Sequence, residues 1–403
     1  MFEGVGGLRE KIERKIVKDS TPGYPYAVLG ANNALVLERY GNTIWDIVCD
    51  RLNRMVEYTG NYHDLTPVEL VKLGFCDPVK VFVKDEPHNK KKLVEGRVRL
   101  ISSVSLVDQI IERMLHTTQN EWEIEHWPTC ASKPGMGLHD DGMKVLSSNI
   151  QELLDLSGEN MCTDISGWDW SVPEWLLHDD MECRIKLACA DDKSLYAHLC
   201  RINAMVVSRS VYVDPDGFCW AQTAYGIQNS GRYCTSSSNS RMRVLLTVHC
   251  RLSAGKPALV KGRLGIISMG DDSDEVAFRD ILDWFGRLGF TVKMVEYNTT
   301  VAGSEFCSQR FLGNGFAYPQ APAKTVFRFL SRPPTTEELP ELWSQLSWYL
   351  RHLSGEEKEV IGKLAMARVE RAINARYGNT STTRGETPQA SETATTSLVS
   401  VSA

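Results

Sequence analysis

This sequence predicts a mixed α+β fold with a helical appendage, on three observations. Strand-like and helix-like segments interleave through the middle of the chain. After Pro334 the pattern turns helical up to about Gly378. A length of 403 residues, with 42% hydrophobic and 24% charged content, suits a globular protein of two or three subdomains. No repeat of fixed period is present, which sets aside solenoids and propellers.

The first 20 residues are polar and permit a helix, and a Pro/Gly/Tyr-rich loop follows at 21–25. Arg97-Val98-Arg99-Leu100-Ile101 alternates like a strand, with both arginines on one face. Residues 105–127 read as a helix, with Val107, Ile110, Ile111, Met114 and Leu115 at helical spacing. A glycine-containing loop at 133–138 precedes a short strand at 161–165. Ser171-Val172-Pro173-Glu174 has capping-box spacing with a proline in the first turn, so a helix is expected to start there.

Residues 225–230 read as a loop, and a helix rich in small polar residues, which Gly231 could open, runs through Leu246. The apolar run 264–269 is stopped by Gly270-Asp271-Asp272 and resumes at Val276, the pattern of a strand, a tight turn and a second strand. A helix at 281–288 stopped by Gly289 and a strand at 290–295 come next. Ser354-Gly355-Glu356-Glu357 opens a last helix. Twelve of the final 25 residues are Ser or Thr, which predicts a disordered tail at 379–403.

Eleven cysteines, an odd number without a CxxC pair, suit reduced thiols better than a disulfide framework. A zinc site from His198, Cys200, His249 and Cys250 lacks repeated ligand spacing. No window approaches the roughly 18 apolar residues of a membrane span, so any membrane association is expected to be peripheral or through a partner. The net charge of −6 argues on average against nucleic acid, but its distribution does not. Residues 80–99 hold seven basic and three acidic residues, and residues 201–263 hold nine basic and two acidic. Residues 151–200 hold three basic and eleven acidic, which suits a site that binds cations.

Three motifs carry chemical content. Gly270-Asp271-Asp272 places two carboxylates at a turn behind a buried strand, hard oxygen donors of the kind Mg²⁺ takes together with substrate phosphates. An acidic surface turn would look the same. Asp164 closes a strand and Asp169 lies five residues on, which would put a carboxylate beside those of the Gly-Asp-Asp turn, as two-metal phosphoryl chemistry requires. Ser230-Gly231 is followed by Thr235 and Asn239 at four-residue intervals, a hydrogen-bonding stripe on a helix. Ser236-Ser237-Ser238 are poor helix formers without a tertiary purpose.

In this order, D-x4-D, S-G-x3-T-x3-N and G-D-D resemble motifs A, B and C of the RNA-dependent RNA polymerases of positive-strand RNA viruses. Asp164-Ile165-Ser166-Gly167-Trp168-Asp169-Trp170-Ser171 looks closest to the sobemovirus and polerovirus group of plant viruses. The resemblance implies a right-hand fold with a mainly antiparallel palm sheet. Fingers are expected at 1–157, palm at 158–192, a fingers insertion at 193–224, palm again at 225–312 and a helical thumb at 313–378. It implies that Asp164, Asp271 and Asp272 hold two Mg²⁺ ions, for which Mn²⁺ can substitute. A 3′-hydroxyl then attacks the α-phosphate of an incoming NTP and pyrophosphate leaves. Asp169 and Asn239, with Ser230, Gly231 and Thr235, are expected to read the ribose 2′-hydroxyl.

Lys80, Lys84, Lys90, Lys91, Lys92, Arg97 and Arg99 resemble motif F, which escorts the triphosphate and RNA. Thr21 and Gly23 lie in a loop like motif G at the template entry, and an ordinary proline turn is the competing reading. Lys293 is a candidate for the motif D lysine that protonates pyrophosphate, and an exposed strand lysine is the plain alternative. Residues 306–311 look like motif E, and Phe306 and Phe311 also suit a core. Implied partners are an RNA template, the nascent strand, NTPs, a protein primer and other viral replication proteins. The implied location is the host cytoplasm, at membrane-bound replication complexes reached through partners. A reverse transcriptase shares the palm carboxylates but tends to place a bulky side chain where Asp169 stands. A non-catalytic RNA-binding scaffold would need the three motifs to coincide in order.

Overall fold

The structure is a computed structural model that describes residues 5–85, 90–331 and 338–377. The tail expected at 379–403, Glu86 and the side chain of Lys92 lie outside the described residues. The chain divides into two compact units, one up to Gln320 and one from Ala321.

The first unit opens with helices α1 (Val5–Lys15), α2 (Asn33–Glu57) and α3 (Pro67–Lys72). Strand β1 (Val79–Val83), helix α4 (Lys90–Val94) and strand β2 (Leu100–Ser103) lead to helices α5 (Leu106–Glu125) and α6 (Asp140–Ser157). Strand β3 (Asn160–Ile165) is followed by the short helix α7 (Trp168–Ser171), then α8 (Glu174–Leu187) and α9 (Leu195–Ser208). Strands β4 (Val211–Val213) and β5 (Cys219–Ala221) precede the long helix α10 (Thr235–Ser253). The remaining elements are β6 (Ile266–Met269), β7 (Asp272–Val276), α11 (Ile281–Arg287), β8 (Val292–Asn298), β9 (Glu305–Phe306), β10 (Gln309–Phe311) and β11 (Ala317–Pro319).

The sheet that organises this unit runs β6-β7-β3-β8, antiparallel throughout. Alternation along its strands gives it two unlike faces. Met161, Thr163, Ser273 and Glu275 point toward α10, whereas Cys162, Asp164, Ile267, Asp274 and Val276 share the opposite face. On that second face Ile267 and Val276 pack with Leu146, Ile150 and Leu153 of α6 and with Phe306 and Phe311. The expected motif E aromatics are therefore core residues, 2% and 1% exposed. A second sheet, β2-β1-β4-β5, joins residues far apart in sequence, with β1 and β4 parallel and the other pairs antiparallel.

Several expectations shift in detail. Ser171 does not cap α8; it ends α7, where its hydroxyl donates to the Trp168 carbonyl at 3.0 Å, and Pro173 takes the cap position without a side-chain bond. Gly231 does not open α10, which starts at Thr235. Its reason for being glycine is packing: a Cβ there would lie 2.0 Å from the Ser102 carbonyl oxygen. Strand β2 begins at Leu100, so Arg97 and Arg99 lie ahead of it rather than within it.

The second unit is helical, with α12 (Pro322–Ser331), α13 (Leu339–Tyr349) and α14 (Gly355–Tyr377). Ser354 accepts the Glu357 amide at 3.3 Å, as its spacing implied, and opens α14. The helical unit starts later than residue 313, because 317–319 form β11 on the preceding hairpin.

Candidate active site

The edge of the central sheet gathers carboxylates by simple strand geometry. Asp164 is the penultimate residue of β3, on the face it shares with Cys162. Met269 pairs with Asp272, so Gly270 and Asp271 form a two-residue turn, and Gly270 sits at φ +66°. Burial pushes Asp271 above the ordinary carboxylate range, and the Asp164 charge adds to it. Asp272 is pushed up to about 7, by burial first and then by Asp271, Asp164 and Glu305. Glu305, on β9, is a neighbour that sequence reasoning missed. Lys293 Nζ lies 2.5 Å from Asp164 Oδ2, and that contact raises the lysine pKa.

These groups are hard oxygen donors whose mutual repulsion a divalent cation would relieve, so the residues suit Mg²⁺ or Mn²⁺. Among the described residues no three His, Cys, Asp or Glu side chains already enclose an ion-sized point. Mg²⁺ does not demand such a cage, since it usually keeps water and takes substrate phosphates as ligands. The zinc alternative gains no support: His198 bonds the Met55 carbonyl at 2.8 Å, while His249 packs on Trp175.

A stability signature follows from Asp272. Its folded pKa lies above that of an unfolded aspartate near 4, so its protonated form favours folding, and stability falls as pH rises from about 4 through about 7. In metal-free buffer, Asp272→Asn is expected to raise the melting temperature at pH 8 by roughly 3 °C and leave it unchanged at pH 4. Differential scanning calorimetry at both pH values checks the sign.

Beside the carboxylates, Asn239 Nδ2 donates to Asp169 Oδ1 at 3.1 Å, joining α10 to α7. Burial raises the Asp169 pKa, the Asn239 bond opposes that rise, Asp271 adds to it and the Arg99 charge opposes it. The Asp169 carbonyl also accepts the Gln228 amide at 2.8 Å, which ties the 225–230 loop to this corner. Ser230 is exposed. Thr235 Oγ1 lies 3.0–3.3 Å from the carbonyls of Asn229, Ser230 and Arg232, so its hydroxyl shapes the loop. The serine run has its tertiary purpose: Ser237 and Ser238 accept Arg184 Nη2 at 2.9 and 3.2 Å, and Ser238 donates to Asp180 at 2.7 Å.

The basic segment is only partly drawn together. Lys80 lies in β1, and the Lys84 amide donates to the Arg99 carbonyl at 2.8 Å, extending the β1–β2 ladder. Lys90 and Lys91 are exposed on α4. Arg97 pairs with Glu95 on the surface. In the 21–25 loop, Gly23 is buried and the Pro22 carbonyl accepts the Leu106 amide at 2.8 Å, which presses the loop against the start of α5; Thr21 is half-buried.

The positive charge of residues 201–263 has a different use from the one expected. Arg209, Arg232, Arg241, Arg243 and Arg251 are all buried. Arg209 pairs with Glu174, Arg232 with Glu112, Arg241 with Asp180 and Glu123, and Arg243 with Glu275. Four of the nine basic residues of this stretch are thus neutralised inside the protein, because buried guanidinium groups need fixed acceptors. Three arginines, Arg241, Arg243 and Arg251, within one helix rich in small polar residues are the available signal.

A family model described as viral RNA-directed RNA-polymerase matches residues 7–328. The chain is 47% identical over 368 residues to the RNA-directed RNA polymerase of Mushroom bacilliform virus, covering 91% of this chain and 87% of that protein. It is 36% identical to the replicase polyprotein P2AB of Cocksfoot mottle virus and 36% identical to protein P1-P2 of Potato leafroll virus, and it spans 36% and 30% of their lengths. A Sicinivirus 3Dpol RNA dependent RNA polymerase superposes with a TM-score of 0.67 over 89% of this chain and 74% of its own, at 16% identity. That likeness shows the fold, a right hand built on an antiparallel sheet.

Proposed function

Since this chain belongs to the viral RNA-directed RNA polymerase family, we propose that it copies RNA by two-metal nucleotidyl transfer from NTPs and releases pyrophosphate. The observation that carries the reading is the convergence of Asp164, Asp271 and Asp272 at one sheet edge, where the Asp164 charge pushes up Asp271 and both push up Asp272. These three would hold the divalent ions that the family uses, and the ions when bound neutralise charge on the triphosphate. Lys293 keeps its proton through its contact with Asp164 and is a proton donor for the leaving pyrophosphate. Asp169 and Asn239, with Arg99 charge nearby, are the ribose-reading pair. Lys80, Lys84, Lys90 and Lys91 supply positive charge for triphosphate and RNA.

A template, a nascent strand and NTPs are the partners of this reading, with a protein primer and other replication proteins joining at initiation. No described helix is long and apolar enough to cross a membrane. Association with membrane-bound replication complexes in the host cytoplasm through those partners belongs to the same proposal.

Primer extension on homopolymeric RNA with Mg²⁺ or Mn²⁺ tests the activity; RNA binding without extension under any primer condition would favour a scaffold. The pair Asp169–Asn239 favours ribonucleotides over deoxyribonucleotides, so Asp169→Ala is expected to reduce NTP-over-dNTP discrimination about ten-fold or more. Competition between ATP and dATP on a poly(U) template measures the ratio. A preference for dNTPs in the unmutated protein would instead indicate reverse transcription.

A further inference from the structure

The helix α10 touches the carboxylate-bearing loops at two consecutive residues, and only the first has been given a task. Asn239 bonds Asp169. Ser240, fully buried, accepts the Gly270 amide on its Oγ at 2.9 Å. The same hydroxyl donates to the Ser236 carbonyl at 2.7 Å, which leaves its lone pairs for Gly270. The Gly270 amide lies in the two-residue turn between β6 and β7 and has no place in their ladder, so without Ser240 it loses its protein partner. A second link runs the other way: Ser268 Oγ donates to the Ser240 carbonyl at 2.7 Å. The sulfur of Met269 sits 3.8 and 3.9 Å from the hydroxyls of Ser236 and Ser240.

We propose that Ser240 is a positioning residue of the polymerase reaction, whose hydroxyl fixes the Gly270–Asp271 turn from the same helical turn that holds Asp169. The ribose-reading side chain and the presentation of Asp271 are thereby mounted on one rigid element. A wobble of α10 moves both together and does not separate them. The inference rests on Asp271 as a working carboxylate of the site.

Three readouts on Ser240→Ala test it. In metal-free protein, hydrogen–deuterium exchange of the peptide spanning 266–276 is expected to show the Gly270 and Asp271 amides exchanging about ten-fold faster, the opening that follows loss of a buried hydrogen bond. In primer extension the Mg²⁺ concentration for half-maximal rate rises about three-fold or more. KM for NTP and the NTP-over-dNTP ratio stay within about two-fold of wild type, since Asn239 and Asp169 are untouched. Ser240→Thr, which keeps the oxygen, restores the exchange rate and the Mg²⁺ midpoint.

Ser268→Ala removes the neighbouring link without touching the Gly270 amide. It lowers the melting temperature but moves neither the exchange nor the midpoint. Wild-type exchange at Gly270 in Ser240→Ala would overturn the proposal, as would an equal Mg²⁺ shift in Ser268→Ala or a folded Ser240→Thr that restores nothing. Because exchange is read without metal or turnover, a failed Ser240 assignment stays distinguishable from a failed assignment of Asp271, which its own variant tests.

Discussion

Asp271→Ala is expected to abolish nucleotide incorporation, by roughly a thousand-fold or more, while the protein stays folded. Asp271 stands in the two-residue turn between β6 and β7, outside their ladder, so removing its carboxylate breaks no strand pairing. Its charge raises the pKa of Asp272 and of Asp169, so the variant relieves repulsion on both. Loss of activity and retention of fold therefore have the same origin: a carboxylate kept in a repulsive cluster serves charge yet to arrive. Steady-state primer extension gives the rate, and circular dichroism with thermal melting gives the fold. Near-wild-type synthesis by the folded variant would remove Asp271 from the reaction. A chain that fails to fold would contradict the picture of a turn whose charge opposes stability.

The carboxylates of the site were legible because their placement depends on local rules. Strand alternation places Asp164, and a two-residue turn with glycine places Asp271 and Asp272 beside it. The antiparallel sheet, α5 and α14 were likewise readable, from apolar periodicity and capping serines. What the sequence hid is the direction in which a polar side chain points. Residues 235–240 form a run of small polar groups, yet Thr235 serves its own loop, Ser237 and Ser238 serve Arg184, and Ser240 serves Gly270. The uses of Ser237, Ser238 and Ser240 are set by partners 30 or more residues away, and no local propensity encodes them. The charge count failed for the same reason: a basic stretch looks alike whether its arginines face RNA or, as with Arg241 and Arg243, buried carboxylates.

Arg243→Met should produce the largest loss of stability of any variant considered, about 3–5 kcal/mol, because it strands a buried carboxylate. The guanidinium is fully buried. Its Nη2 donates to Thr163 Oγ1 at 2.5 Å, to Ser273 Oγ at 2.8 Å and to Glu275 Oε1 at 2.8 Å, while Nη1 donates to Thr247 at 2.7 Å. Glu275 is itself fully inaccessible to solvent, so methionine at 243 removes its ion-pair partner and leaves, among the described residues, only the unpaired Arg251 charge in its vicinity. Replacing both members separates the charge from the packing. In Arg243→Met/Glu275→Met the stranded charge is gone, and most of the lost stability is expected to return. Activity is not expected to return with it. Thr163 and Ser273 immediately neighbour Asp164 and Asp272 along β3 and β7, and Arg243 bridges them at the back of the sheet edge that carries the carboxylates. Urea denaturation of the wild type, the single and the double variant measures the first effect, and primer extension by the double variant measures the second. A double variant that is stable and fully active would mean that Arg243 serves the fold alone. One no more stable than the single variant would mean that the loss came from packing, with the buried charge contributing little.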